Sequence, residues 1–80
     1  MAWTVYILEC ADLTLYTGIT NNMKSRLDAH TKGTGAKYTR GRGPFRIVYK
    51  EQVASQSQAL KRERAIKALS RKQKLKLVAK

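Results

Sequence analysis

Two tyrosines stand ten positions apart in segments that predict neighbouring β-strands. Tyr6 lies in Trp3-Thr-Val-Tyr-Ile-Leu-Glu9 and Tyr16 in Leu13-Thr-Leu-Tyr-Thr-Gly-Ile19. Both segments are rich in β-branched and aromatic residues. The link Cys10-Ala-Asp12 is too short for a crossover, so the pattern predicts an antiparallel hairpin. Its two phenols would lie near each other, either as ordinary cross-strand packing or as parts of one site.

An arginine and a histidine follow on the next predicted element. Met23 and Leu27 fall at the i, i+4 spacing of an apolar stripe, which predicts a helix from about Met23 to Thr31. Arg26 and His30 have the same spacing, so they share one flank of this helix, beside the buried stripe.

Glu63 is the only acid between Gln52 and the last residue of the chain. Ala59, Leu60 and Ile66 place it on or beside the apolar stripe of a predicted helix. An inward carboxylate is costly and persists through a partner, which is an Arg, a set of hydrogen-bond donors or a divalent cation. The spacing leaves these alternatives open, as well as that of a surface carboxylate neutralised by its neighbours.

These five side chains together suit the hydrolysis of a phosphodiester. Attack on phosphorus requires hydroxide, which a bound Mg²⁺ or an ionised tyrosine can generate. It also requires a cation for the charge that develops on the phosphoryl oxygens, and arginine pairs with phosphate through a planar fork. A carboxylate oxygen is a suitable ligand for the hard metal.

The elements that would position this set form an α+β fold. Phe45-Arg-Ile-Val-Tyr-Lys-Glu51 predicts a third strand, which completes a three-stranded antiparallel sheet flanked by helices. The segment from Lys32 to Pro44 has four glycines and no apolar period, so we expect a loop whose backbone can approach a ligand closely.

Two capping boxes predict the remaining helices. Ser55-Gln-Ser-Gln58 opens one that runs to about Leu69, and Ser70-Arg-Lys-Gln73 opens a last one. Leu75 and Val78 are the side chains expected to dock the last helix.

Length and charge limit the kind of protein. Eighty residues predict a single domain over residues 1–80 with a modest core. A net charge of +12, from 17 Lys and Arg against five Asp and Glu, predicts attraction to polyanions. No stretch approaches the ~18 consecutive apolar residues of a membrane span, and the first residues show no signal-peptide pattern. We therefore expect a cytoplasmic protein that binds nucleic acid and could associate with the nucleoid. We expect no membrane role. One cysteine cannot form an internal disulfide.

The ordered set resembles the GIY-YIG endonuclease domain, over about Trp3 to Val78. The residues that carry the resemblance are Thr4-Val5-Tyr6, Tyr16-Thr17-Gly18, Asn21, Arg26, His30 and Glu63. Small standalone members of that family are similar also in the loop from Gly35 to Gly43 and in the segment from Ala59 to Ser70.

The resemblance implies a fold of the same class and a role for each matching residue. Tyr6 would act with the metal to deprotonate the attacking water, and Tyr16 would orient that water or the scissile phosphate. Arg26 would stabilise the phosphorane, and His30 would contact phosphate or assist proton transfer. Glu63 would hold a single divalent ion, Mg²⁺ or Mn²⁺.

The substrate expected from charge and resemblance is DNA, held by phosphate contacts of weak sequence preference. The predicted contacts are Lys37, Arg40, Arg42, Lys61, Arg64, Lys67, Arg71 and Lys72. A basic binding module that keeps the fold but cleaves poorly or not at all is the alternative, and an RNA-associated protein is a third hypothesis. The chain would act as a monomer or weak dimer. A protein partner could bring it to its nucleic-acid target.

Overall fold

The computed structural model describes residues 2–35 and 39–78, so the predicted contact Lys37 lies outside the described residues. The elements are β1 (Trp3–Glu9), β2 (Leu15–Thr20), α1 (Met23–Thr31), β3 (Arg46–Val53), α2 (Gln56–Lys67) and α3 (Arg71–Val78). The strands form one antiparallel sheet in the order β2-β1-β3. This confirms the predicted fold class, the order of the elements and the bounds of α1.

The central strand β1 is buried on both faces. Val5 and Ile7 pack with Ala59 and Ile66 of α2 in the main apolar cluster. Because side chains alternate along a strand, Tyr6 lies on the opposite face of the sheet, and it is fully buried there. The apolar cluster thus holds α2 on one face, while the other face is left for the phenol.

The hairpin turn is longer than the sequence predicts. Leu13 has a φ of 67°, in the left-handed region, so it cannot continue an extended strand. Asp12 Oδ1 accepts hydrogen bonds from the hydroxyl and the backbone N–H of Thr14, at 2.5 and 3.2 Å. The second strand therefore begins at Leu15 and not at Leu13. The third strand is displaced in the same direction, covering Arg46–Val53.

Both predicted capping serines are observed. Ser55 Oγ accepts from the backbone N–H of Gln58 at the start of α2, which ends at Lys67, two residues before the predicted end. Ser70 and Gln73 form the reciprocal box, because each side chain accepts a hydrogen bond from the other residue's backbone N–H, at 3.2 and 2.9 Å.

Two leucines predicted to be buried are exposed. Leu75 is 43% exposed, and Leu77 packs beside Val78 against the apolar cluster instead. Leu60 is also 43% exposed, so the inner face of α2 is formed by Ala59 and Ile66 without it. None of the described helices is long and apolar enough to cross a membrane.

Candidate active site

The hairpin brings the two phenols together. The register of β1 and β2 sets Tyr6 opposite Gly18 and Leu8 opposite Tyr16, so both tyrosines lie on one face. Their ring centroids are 6.4 Å apart. A Cβ at Gly18 would lie 2.5 Å from Tyr6 Oη and 2.7 Å from its Cζ, so the glycine leaves the space that the phenol occupies. The predicted proximity of the phenols is therefore observed.

His30 is the one buried residue of α1, at 1% exposure. Its Nε2 lies 2.9 Å from Tyr6 Oη, and its Nδ1 lies 2.7 Å from Thr39 Oγ1. The rings of Tyr16 and Phe45 pack edgewise against the imidazole. The sequence placed His30 beside an apolar stripe of Met23 and Leu27. In the structure those two are only half-buried, and the histidine itself faces inward.

Thr39 is a residue that sequence reasoning missed. It is 1% exposed and meets the imidazole from the loop before β3. Gly35 allows this loop to close on α1, because a Cβ there would lie 2.6 Å from His30 Nδ1. The only available signal was a small polar residue in a glycine-rich loop, which gives no indication of a partner nine positions away.

Burial lowers the pKa of His30, and the nearby charge of Arg26 lowers it further. The imidazole is therefore neutral near pH 7, with one donor and one acceptor nitrogen. In the tautomer that donates from Nδ1 to the Thr39 hydroxyl, Nε2 is left to accept the proton of the Tyr6 phenol.

Arg26 lies against the phenols from α1. Its polar contact with Tyr6 raises the pKa of Arg26, and contact with Tyr16 adds to that effect. Burial raises the pKa of Tyr6, whereas contact with Arg26 acts in the opposite direction. Tyr6 is thus protonated in the free protein, beside a guanidinium that favours the phenolate.

Glu63 lies on α2 within electrostatic reach of this group, since its charge also raises the pKa of Tyr6. Its side chain is 20% exposed, and Lys67 Nζ lies 3.5 Å from Oε2, one helical turn away. The partner is therefore a lysine, while the Arg partner that the sequence left open is not observed among the described residues.

The donor chemistry at Glu63 fits a hydrated magnesium-type ion. Within residues 2–35 and 39–78 no three His, Cys, Asp or Glu side chains come together as a metal cage. Mg²⁺ commonly keeps several waters and binds proteins through one or two carboxylates and the phosphates of the substrate. A single carboxylate within electrostatic reach of the Tyr6 phenol matches that donor set.

A second contact missed from the sequence fixes α2 beside Glu63. Arg62 Nε donates to both carboxylate oxygens of Glu51, at 2.9 and 3.1 Å, and Tyr49 Oη donates to the same carboxylate at 2.7 Å. Tyr49 and Glu51 share one face of β3 because they are two positions apart.

The predicted nucleic-acid contacts fall into two groups. Arg42 pairs with Asp12 of the hairpin turn, and Arg71 donates to the Leu13 carbonyl at 3.0 Å, so both hold that turn in place. Lys67 is paired with Glu63. The others that the structure describes are exposed, namely Arg40, Lys61, Arg64 and Lys72.

The chain is similar to known proteins over most of its length. Residues 2–76 match the model of the GIY-YIG catalytic domain. The UPF0213 protein of Oceanobacillus iheyensis is 54% identical over 74 residues, which is 92% of this chain and 86% of that protein. The UPF0213 protein of Natronomonas pharaonis is 55% identical over 75 residues, 94% and 88% of the two chains.

Two solution NMR structures have the same fold. The UPF0213 protein BH0048 of Bacillus halodurans aligns with a TM-score of 0.64 at 48% identity, covering 99% of this chain and 84% of the other. The protein EF2693 of E. faecalis aligns with a TM-score of 0.65 at 41% identity, covering 92% and 79%. The chain therefore belongs to the GIY-YIG family, whose catalytic domain is a nuclease-type hydrolase.

Proposed function

We propose that this protein is a metal-dependent endonuclease that hydrolyses phosphodiester bonds in DNA. The observation that carries the proposal is the buried Tyr6 phenol, which meets His30 Nε2 at 2.9 Å and lies against the guanidinium of Arg26. A structural tyrosine needs one hydrogen-bond partner, whereas this phenol has a neutral proton acceptor and a cation that stabilises its anion.

The contacts support a proton path from water to histidine. Tyr6 is protonated, so it can take a proton from the attacking water only as it releases its own. Its proton would pass from Oη to His30 Nε2, while the water proton passes to Oη. Both ring nitrogens of His30 already have partners, Tyr6 Oη and Thr39 Oγ1, which favours proton transfer over the phosphate contact among the roles that the sequence suggested. Thr39 would act as a positioning residue that holds Nδ1–H.

Arg26 and Tyr16 would act on the phosphate. A guanidinium keeps its charge at any physiological pH and can stabilise the charge that develops on the phosphoryl oxygens. Tyr16 lies on the same face as Tyr6 and would orient the attacking water or the scissile phosphate.

Glu63 would hold a single divalent ion, Mg²⁺ or Mn²⁺. Such an ion, when bound, polarises phosphoryl oxygens and lowers the pKa of a coordinated water. The ion would replace Lys67 as the cation beside the carboxylate. The exposed side chains of Arg40, Lys61, Arg64 and Lys72, with Lys37 and the loop, would contact the backbone of the DNA. The protein would act in the cytoplasm as a monomer or weak dimer.

One observation favours the alternative of a binding module with little or no cleavage. The ammonium of Lys67 already neutralises Glu63, which is the carboxylate that the proposal needs for metal. In a binding module this ion pair would persist when Mg²⁺ is added. Basic side chains alone would then account for affinity, and an RNA partner would satisfy them as well as DNA does.

Nicking of supercoiled plasmid with Mg²⁺ or Mn²⁺ tests the proposal. Glu63→Gln should abolish nicking and leave salt-dependent DNA binding intact, because it removes a metal ligand and no basic group. Glu9→Gln is the matched control, since Glu9 pairs with Arg46 at an end of the sheet and should keep full activity. Equal nicking by the Glu63→Gln protein would contradict the proposal.

The proton path has its own test. Tyr6→Phe and His30→Gln should each lower the nicking rate by about 10²–10⁴-fold, the usual contribution of acid–base catalysis. The double variant should be no slower than the slower single variant, because both residues serve one transfer. Multiplicative losses would show that the two side chains act separately.

A further inference from the structure

A cavity of about 390 Å³ lies beside the candidate active site, between β2 and the helices α2 and α3. It is lined by Leu15, Tyr16, Thr17, Lys67 and Lys74. At ~30 Å³ per water molecule, this volume corresponds to roughly a dozen waters, so a hydrated phosphate group fits. Tyr16 belongs both to this cavity and to the candidate active site.

The charge of the cavity lining is positive only. Lys67 and Lys74 contribute two ammonium groups, and none of the lining side chains is acidic. Lysine ammonium groups bind phosphate as point charges. Glu63, which lies outside the lining, is the carboxylate that pairs with Lys67 in the absence of ligand.

Thr17 provides an independent observation. It is 3% exposed, and its Oγ1 is buried without a hydrogen-bond partner among the described residues. Buried hydroxyls are nearly always hydrogen-bonded, so an unpartnered one needs an explanation. A valine of nearly the same shape would fill the site without that cost. A ligand oxygen that reaches the hydroxyl would satisfy it.

We propose that this cavity is a second phosphate-binding subsite, which takes a backbone phosphodiester of the nucleic-acid substrate next to the scissile phosphate. The proposal rests on the proposed function, because Tyr16 connects the two sites. Lys74 and Thr17 would bind the phosphate in the free protein. If a metal ion were held by Glu63, Lys67 would lose that partner and would be the second cation of the subsite.

NMR titration of the full chain tests the subsite. Divalent metal is left out, so that the proposed nuclease cannot cleave the probe. The probe is a thymidine trinucleotide with internal diesters and no terminal phosphate, at constant ionic strength. Saturable shifts of the Thr17 and Lys74 amides are expected. Lys74→Gln should weaken that binding about tenfold, the loss typical of one charge-assisted contact. Lys76→Gln, with the same loss of charge on the exposed side of α3, should leave it unchanged.

Two further measurements complete the test. Lys74→Gln should lower the salt slope of duplex binding by about 0.9, the value for one phosphate contact, and Lys76→Gln should lower it less. Thr17→Val should fold at least as stably as the wild type in urea and bind the trinucleotide more weakly. Tighter or equal binding by Thr17→Val would overturn the hydroxyl's role.

The outcomes separate the subsite from the nuclease. Equal losses of trinucleotide affinity in Lys74→Gln and Lys76→Gln would overturn the subsite, whether or not the protein cleaves DNA. Saturable shifts with inorganic phosphate as strong as those with the trinucleotide would overturn its assignment to a strand phosphodiester. A protein that never nicks DNA but shows the predicted differences would keep the subsite and lose the proposed function.

Discussion

Gly18→Ala is the most informative single perturbation of the candidate site. The added Cβ would lie 2.5 Å from Tyr6 Oη, 2.7 Å from Tyr6 Cζ and 3.0 Å from Tyr16 Cε2. Ordinary contact begins at 3.4 Å, so the phenol oxygen must retreat by about 0.9 Å. Hydrogen bonds of this kind span only a few tenths of an ångström around their best distance. The 2.9 Å contact between Tyr6 and His30 therefore should not survive in its present geometry.

The expected magnitudes follow from that displacement. Overpacking of a buried site costs about 1–3 kcal/mol, and replacement of a strand glycine by alanine returns about 0.5–1 kcal/mol. The free energy of unfolding should therefore fall by about 0.5–2 kcal/mol, with about 4–8 °C in Tm for each kcal/mol. A misplacement near 1 Å in a catalytic group costs about 100-fold in rate, and we expect a loss of that order in nicking.

Gly33→Ala is the control for a loss of stability without displacement of Tyr6. Gly33 has a φ of 80°, so alanine there costs about 1–2 kcal/mol, yet its added Cβ meets no atom within 4 Å. Urea unfolding should show similar destabilisation of the two variants. Plasmid nicking, compared at equal folded fractions, should be slower only in Gly18→Ala. A Gly18→Ala protein that is destabilised but nicks at the wild-type rate would refute the role given to Tyr6.

Three further expectations concern stability. The chain has one histidine, and burial holds the pKa of His30 below its unfolded value, so the unfolded state binds the extra proton. The free energy of unfolding should then rise with pH up to about 6.5 and level off above it; His30→Gln should lack this rise in urea titrations from pH 5 to 8, and a flat wild-type profile would contradict burial of a neutral imidazole. Leu77→Ala should cost about 1–2 kcal/mol, and Leu75→Ala less than about 0.5 kcal/mol, by thermal unfolding; the reverse order would contradict the docking of α3. A double-mutant cycle of Arg62→Ala with Glu51→Gln should give a coupling of about 0.5–1 kcal/mol because both side chains are partly exposed, and additive losses would show that their contact contributes nothing.

Local signals in the chain predicted the framework well. Alternating β-branched and aromatic residues specified the hairpin, and with it the approach of Tyr6 to Tyr16. Capping chemistry located the start of α3 at Ser70 and Gln73, because a capping box is formed by residues three positions apart. The predicted start of β2 was wrong by two residues, because nothing in a run of strand-forming residues indicates that Leu13 adopts a left-handed conformation.

Long-range contacts decided the rest of the site. Spacing placed His30 on a helix flank, but which flank faces the sheet depends on how α1 packs, and the structure turns the histidine inward to Tyr6 and Thr39. Helical spacing makes Lys67 a neighbour of Glu63, but the sequence left an arginine, hydrogen-bond donors and a divalent cation open as its partner, and the structure shows the lysine.

The sequence by itself determined the types of candidate catalytic side chain, the elements that carry them and the excess of positive charge. The tertiary structure decided which of those side chains are within hydrogen-bond distance of each other and which cations they meet. Periodicity encodes the direction of a side chain relative to its own element, whereas hydrogen-bond partners depend on the packing of elements distant in the chain. That is why the approach of Tyr6 to Tyr16 was predictable from the hairpin, while the contacts of His30 with Tyr6 and Thr39 were not.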